Sequence, residues 1–282
     1  MNKERKTSLD QTVIILSGLA VAAFVFVFYP VWLSLIKLWI NSEEYSHGFF
    51  IVPIALFIAW QKREILAKIP VKGAWGGLLV VLAALFLYLI GDFAHILTLK
   101  PLAMILFFGG SILFLFGYRV FYEMLFPLFI LLFMLPIPSQ IYSAATINLQ
   151  LFVSAVSANL VSIIGVTLYR EGNVIHLPEM TMQVVQACSG MRSLVSLLAL
   201  SSVFGYFSLR SNFLRTILFF SGIPIAVIVN VVRVIILIGF VHYLGIDLTH
   251  GLLHTILGLA VFVLAIALLF MFRGIIKRWE TP

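Results

Sequence analysis

Charge is scarce in this sequence, and cysteine is almost absent. Only 10% of the 282 residues are Asp, Glu, Lys or Arg, while 62% are hydrophobic; soluble domains carry roughly a quarter charged residues. A chain this poor in charge cannot cover a water-facing surface, so lipid must be the solvent for most of it. No stretch of about 50 residues is polar enough to form a separate soluble domain. There is no internal repeat and no low-complexity tract. The single cysteine, Cys188, excludes an intramolecular disulfide and any site built on several thiolates. The formal net charge of +7 would point to nucleic acid in a soluble protein. Here the Lys and Arg residues sit in short loops and at the termini, with no basic patch interleaved with exposed aromatics. They therefore read as topology determinants, and no nucleic-acid partner is expected.

What is present is a series of apolar segments, at about 12–39, 49–61, 75–91, 101–117, 120–136, 141–167, 189–209, 214–241 and 251–272. Lys3, Arg5 and Lys6 precede the first. Ala20-Val21-Ala22 looks like a signal-peptidase site, but the apolar run continues to about Ile40, which predicts a retained anchor helix. Pro53 breaks the second segment, and Leu135-Pro136-Ile137-Pro138 stops the fifth. Basic residues at Lys62, Arg63, Lys68 and Lys72, at Arg119, at Arg210 and Arg215, and at Arg273, Lys277 and Arg278 mark cytoplasmic loops and a cytoplasmic C-terminus. With both termini inside, the number of crossings must be even. The segment set aside is 141–167, where Ser143, Gln150, Ser154 and Ser157 line one helical face and Asn148 and Asn159 add polarity. It is expected to lie along the outer interface, or to pack its polar face onto other helices. Eight crossings remain, and residues 170–187 fall outside, where Gly172, Asn173 and Pro178 predict a small extended hairpin. The expected fold is thus an all-α polytopic membrane bundle, a single domain over 1–282.

Charged residues inside a membrane span are costly and are functional candidates by default. Arg233 is flanked by apolar residues on both sides, nine positions before His242 and so about 13 Å below the outer end of its helix; its side chain can rise towards that surface. The bland alternative is a structural Arg paired with a buried polar group. Cys188 opens the seventh segment in Gln186-Ala187-Cys188-Ser189-Gly190-Met191-Arg192. A helix N-terminus favours thiolate over thiol, and Arg192, four residues on, adds a full positive charge. Such a thiol is a candidate nucleophile; the alternative is an inert small residue. His254 lies about one turn into the last segment, at a depth where a neutral imidazole can exchange protons with a thiol or an amine. Taken singly, it is more simply a hydrogen-bonded packing residue. In the derived topology Cys188, His254 and Arg233 all fall in the outer third of the bilayer, and that convergence carries the case. His250 and His254, spaced i, i+4, could instead bind a metal, but no Glu follows the first histidine. No metal and no cofactor are expected. His47, His95, His176 and His242 lie near loops and read as interfacial.

These segments resemble the exosortase/archaeosortase family of membrane-embedded, cysteine transpeptidase-like enzymes. Ala187-Cys188-Ser189-Gly190-Met191-Arg192 is similar to the family's nucleophile motif. Asn230-Val231-Val232-Arg233-Val234 is similar to its second motif and Gly251-Leu252-Leu253-His254-Thr255 to its third. Tyr45-Ser46-His47-Gly48-Phe49-Phe50, with Pro53 and Trp60, resembles the usual entry to the second helix. The likeness runs in order from about residue 40 to 272. Gln186 departs from the Glu that many members carry there. The chain ends soon after its last apolar segment, so the likeness is to members without a fused C-terminal domain, and the Cys-Ser-Gly wording leans towards the bacterial ones. The resemblance implies Cys188 as nucleophile, His254 as acid/base and Arg233 as oxyanion stabiliser, with Arg192 and Asn230 in support. It implies substrates that are exported proteins with a C-terminal Pro-Glu-Pro-like motif, a transmembrane helix and a basic tail. Cleavage would occur on the outer side of the cytoplasmic (inner) membrane. The competing class is a transporter or polysaccharide-export component, which typically places charges near the midplane on discontinuous helices, often with internal repeats.

Overall fold

The structure, a computed structural model, describes residues 22–184, 190–246 and 251–280. The chain forms two compact units, divided in sequence after Pro136.

The first unit contains α1 (Tyr29–Asn41), α2 (Gly48–Gln61), α3 (Trp75–Phe93), α4 (Leu99–Phe116) and α5 (Tyr118–Leu131). Lipid is as apolar as a leucine, so helices in a membrane gain little from hiding leucines and instead pack where small residues allow close approach. The antiparallel α3–α4 pair is built this way. A Cβ added at Gly77 would lie 2.2 Å from the Phe114 backbone nitrogen, and one at Gly110 would lie 3.0 Å from Val80 Cγ1. The basic loops gather at one end of this unit. Lys62 Nζ pairs with Glu123 at 2.8 Å, and the Lys72 N–H donates to the Phe116 carbonyl at 3.4 Å.

The second unit contains α6 (Ser139–Ile163), three short strands, α7 (Gly190–Ser208), α8 (Asn212–Leu244) and α9 (Gly251–Ile276). The strands β1 (Tyr169–Glu171), β2 (Val174–His176) and β3 (Thr181–Gln183) form one antiparallel sheet in that order, with Tyr169 opposite His176 and Ile175 opposite Met182. Gly172 takes φ 61° at the first position of the two-residue β1–β2 turn, where a side chain would be strained. The sheet extends the expected hairpin by one strand. Ile175, Leu177, Met182 and Val184 are buried against Val153 and Val161 of α6 and Val231, Val234, Leu237, Ile238 and Val241 of α8. Removing each such side chain from water contributes about 1.5–3 kcal/mol, which seats the sheet on the second half of α8.

At the other end of this unit the α7–α8 loop meets the end of the chain. Glu280 accepts from the backbone N–H groups of Arg210 and, at 2.9 Å, Ser211. These bonds hold its carboxyl below the ordinary carboxylate range. Arg273 Nη2 donates to the Ser208 carbonyl at 3.2 Å. Arg210, Arg215, Arg273 and Lys277 are therefore collected at the end opposite the sheet.

Among the described residues six helices are long and apolar enough to cross a membrane: α3, α4, α6, α7, α8 and α9. The expected segments at 49–61 and 120–136 form helices of only 14 residues each, about 21 Å against a hydrocarbon core of about 30 Å. Part of the segment at 12–39 lies outside the described residues. The segment set aside, 141–167, is one of the six. Part of its polar stripe is turned into the protein: Gln150 is 5% exposed and Ser154 and Ser157 are fully buried, while Ser143, Asn148 and Asn159 are exposed. Ser154 Oγ donates to the Gly172 carbonyl at 3.1 Å, Asn173 Nδ2 donates to Gln150 Oε1 at 3.3 Å, and Ser157 Oγ donates to the Val231 carbonyl at 3.3 Å. The polarity of Gln150, Ser154 and Ser157 is thus met within the protein, by the sheet turn and by α8, which is the packed arrangement expected as one of the two placements.

Candidate functional site

Three helices of the second unit carry the site. α8 runs 33 residues with apolar neighbours nearly throughout, and Arg233 stands eleven residues before its end at Leu244, about 16 Å along the axis. α9 begins at Gly251, so His254 is about one turn in from its start. Although 21 residues separate them, Arg233 Nη2 and His254 Nε2 lie 2.9 Å apart. Arg233 is 4% exposed and His254 is half-buried.

A guanidinium has five N–H donors and no acceptor. A hydrogen bond across this contact therefore has Arg233 donating and His254 Nε2 accepting, which requires a neutral ring with its N–H at Nδ1. The Nε2 lone pair becomes free to take a proton only when the Arg233 N–H is drawn to another acceptor. The pair thus combines a buried, permanently charged donor with a neutral base whose availability depends on where that donor points.

A glycine makes room for this contact. Gly258 follows His254 by one turn on the same face of α9. A Cβ there would lie 3.4 Å from Arg233 Nη2 and 3.8 Å from its Cζ. One methyl group fits at ordinary contact distance, while a longer side chain would occupy the place of the guanidinium.

Asn230 precedes Arg233 by one turn on the same face of α8 and is 5% exposed. Arg192 lies in the first turn of α7 and is half-buried. Ser193, Asn230, Arg233 and Val261 help to line a cavity of about 10 Å³ where α7, α8 and α9 meet. A larger cavity, about 410 Å³, is lined by Tyr206, Arg210, Lys277 and Glu280 at the basic end of the unit. It shares no residue with the Arg233–His254 pair.

Cys188 lies outside the described residues, as does His250, the other half of the candidate metal pair. Among the described residues no three His, Cys, Asp or Glu side chains gather in a metal-binding group. Three of the four histidines read as interfacial make specific contacts, His176 through its Nδ1, 3.0 Å from Thr181 Oγ1 in the sheet. His47 Nε2 donates to the Phe133 carbonyl at 3.0 Å, and His242 Nδ1 pairs with Glu179 Oε1 at 3.1 Å, tying the β2–β3 turn to the end of α8. Gly258 and Ser193 escaped the reading of the sequence. The i, i+4 spacing from His254 was a signal for Gly258, since a small residue one turn on leaves space beside the ring. Nothing local marks Ser193, which is one of many serines.

The family model of the transmembrane exosortases matches residues 39–271 of the chain. No curated protein and no solved structure matches it.

Proposed function

The chain belongs to the transmembrane exosortase family, and from that premise we propose that it is a membrane cysteine peptidase or transpeptidase. Its substrates in this reading are exported proteins anchored by a C-terminal tail with a Pro-Glu-Pro-like motif, a transmembrane helix and a basic cluster. The observation that carries the reading is the part-buried contact between Arg233 and His254 at 2.9 Å, on the two helices whose motifs accompany the Cys188 motif in this family.

In the proposed reaction the Cys188 sulfur attacks the carbonyl carbon at the cleavage site, and charge builds on the carbonyl oxygen. An N–H of Arg233 turns from His254 Nε2 to that oxygen, the role of a fixed donor in a water-poor site. The freed Nε2 takes the thiol proton. As the C–N bond breaks, the imidazolium returns that proton to the leaving amine, and a thioester remains on Cys188. Water or an amine acceptor then attacks the thioester and regenerates the thiol. A substrate tethered by its own helix arrives already concentrated beside the enzyme, which lowers the entropic cost of the encounter. Co-expression with a tailed substrate tests the proposal: a shortened, released form should appear with the wild-type protein, and its absence in every such pairing would overturn the reading.

The proposed topology places the site on the extracytoplasmic side of the inner membrane. It is supported by the polarity of the second unit, whose Arg210, Arg215, Arg273 and Lys277 collect at one end while the sheet, His254 and the reach of Arg233 lie towards the other. A single cysteine at position 173, in a Cys188→Ala background, should be labelled in intact cells by an impermeant thiol reagent. Labelling only after the membrane is opened would reverse the orientation.

The Gly258 contact gives a graded expectation. Gly258→Ala should process substrate at close to the wild-type rate, because the added methyl sits in ordinary contact with the guanidinium. Gly258→Leu should lose up to about 100-fold, as expected when a reacting group is displaced by about 1 Å. Equal rates for the two variants, in a time course of substrate release, would remove Gly258 from the site.

A further inference from the structure

The Asn230 amide has no part in the reaction as described, yet it is among the least exposed polar groups of the second unit. Asn230 is 5% exposed, and its Nδ2 has no hydrogen-bond partner among the described residues. Buried amide donors in folded proteins nearly always find a partner, from the protein or from bound water. Asn230 lines the cavity of about 10 Å³, a volume that matches a single water molecule. Ser193 of α7 and Arg233 line the same cavity, and the rest of its wall is apolar, including Val229, Val261 and Phe262.

We propose that Asn230 and Ser193 hold one water molecule against Arg233 and that Asn230 is thereby a positioning residue for the guanidinium. Three of the four hydrogen bonds a water can make are accounted for. Asn230 Nδ2–H and an N–H of Arg233 donate to the water oxygen, and the water donates to Ser193 Oγ. Three hydrogen bonds are the usual number for a buried water. One side of the guanidinium is then fixed by the water and another by His254, so its plane is set before substrate arrives. The site also links three helices: α7, whose first turns follow the Cys188 segment, α8 with Arg233, and α9 with His254. The water site itself follows from the cavity and the amide alone; its effect on turnover rests on the cysteine peptidase reading.

The test uses the purified full-length protein with Asn230→Leu, Ser193→Ala and the double variant. Each is measured for thermal unfolding in detergent and for processing of a tailed substrate. Leucine keeps the branch point of asparagine but is bulkier, so Ser193→Ala and the double variant separate loss of the water from overpacking. If the amide were a mere unpaired group, replacing it with an apolar side chain would be neutral or stabilising. With the water in place, Asn230→Leu strands the partners of the water. The unfolding midpoint should then fall by several degrees, and kcat should fall roughly tenfold with KM little changed. Because both side chains act through one water, the double variant should be scarcely worse than the worse single variant, in both midpoint and kcat. A Leu variant with a wild-type or higher midpoint overturns the proposal, and so do independent, additive losses from the two substitutions. Ser193→Ala removes only a hydroxyl, so it keeps the test decisive if Asn230→Leu fails to accumulate. The unfolding measurements do not depend on Cys188 chemistry. Failure of the peptidase reading would leave the midpoint coupling intact, whereas failure of the water site would abolish it.

Discussion

Replacing Cys188 with alanine is expected to abolish release of a tailed substrate and leave it full length and membrane-anchored. The thiol is the only one in the chain, so no neighbouring cysteine can substitute for it. The covalent route splits one difficult displacement into two easier ones, and removing the nucleophile removes that route altogether. His254→Ala should have nearly the same effect. In the proposed mechanism the imidazole is the acceptor for the thiol proton and the donor for the leaving amine, and the variant lacks both. Residues that act as one unit are far from additive, so the double variant should be little worse than either single one. In each case the loss should exceed about 1000-fold and leave no shortened product on an immunoblot. A metal-dependent reaction would behave differently: chelators would stop it, and His250 would be needed as much as His254. Continued appearance of the shortened form with Cys188→Ala, at wild-type levels, would end the cysteine mechanism.

Arg233→Lys is expected to cost about 100- to 1000-fold in processing, the range for loss of an oxyanion donor, while the protein still accumulates in the membrane. The substitution keeps the charge and much of the length, and what it loses is geometry. The guanidinium offers donors in a rigid plane, one of which lies 2.9 Å from His254 Nε2 and can turn to the carbonyl oxygen. An ammonium is a single, strongly hydrated point charge. At a position only 4% exposed it loses that hydration and offers no rigid plane along which a donor can pass from the ring to the oxyanion. The hollow at Gly258, shaped by contacts with Nη2, Cζ and Nη1, would also be left part-filled. A lysine variant that releases substrate at the wild-type rate would show that positive charge alone suffices, and the oriented-donor role would fail.

The membrane bundle could be read directly from the sequence because the solvent dictates it. With so little charge and so many long apolar runs, no fold with a water-facing surface was open to the chain. The extended element after α6 was legible for a local reason, since Gly172-Asn173 is a two-residue hairpin turn in residue type. The third strand was less so, because nothing in Thr181–Gln183 distinguishes an edge strand from an extended linker until Ile175 and Met182 face each other.

Arg233 and His254 could be singled out as costly residues in apolar segments, one by its charge and the other by its depth. That they touch could not be. The contact depends on where α9 packs against α8, and Gly258 leaves room beside it through an absent side chain, which carries no hydrophobic or charge signal of its own. Asn230 drew attention only through its place in the motif, and the cavity that gives it a task exists only where three helices meet.

The polar stripe of α6 separates most sharply what the sequence determined from what the tertiary structure decided. Ser143, Gln150, Ser154 and Ser157 recur at helical spacing, and from that period alone one face of the helix needed hydrogen-bonding partners. Which partners was not written there, since water at an interface and protein backbone satisfy a hydroxyl equally well. For Ser154 and Ser157 folding chose the backbone, at the Gly172 and Val231 carbonyls, which makes that part of the stripe a contact between α6, the sheet and α8, while Ser143 stays exposed. A sequence states which groups must be satisfied, because that cost is intrinsic to each residue. Only the packed structure states by what, because the partner lies elsewhere in the chain.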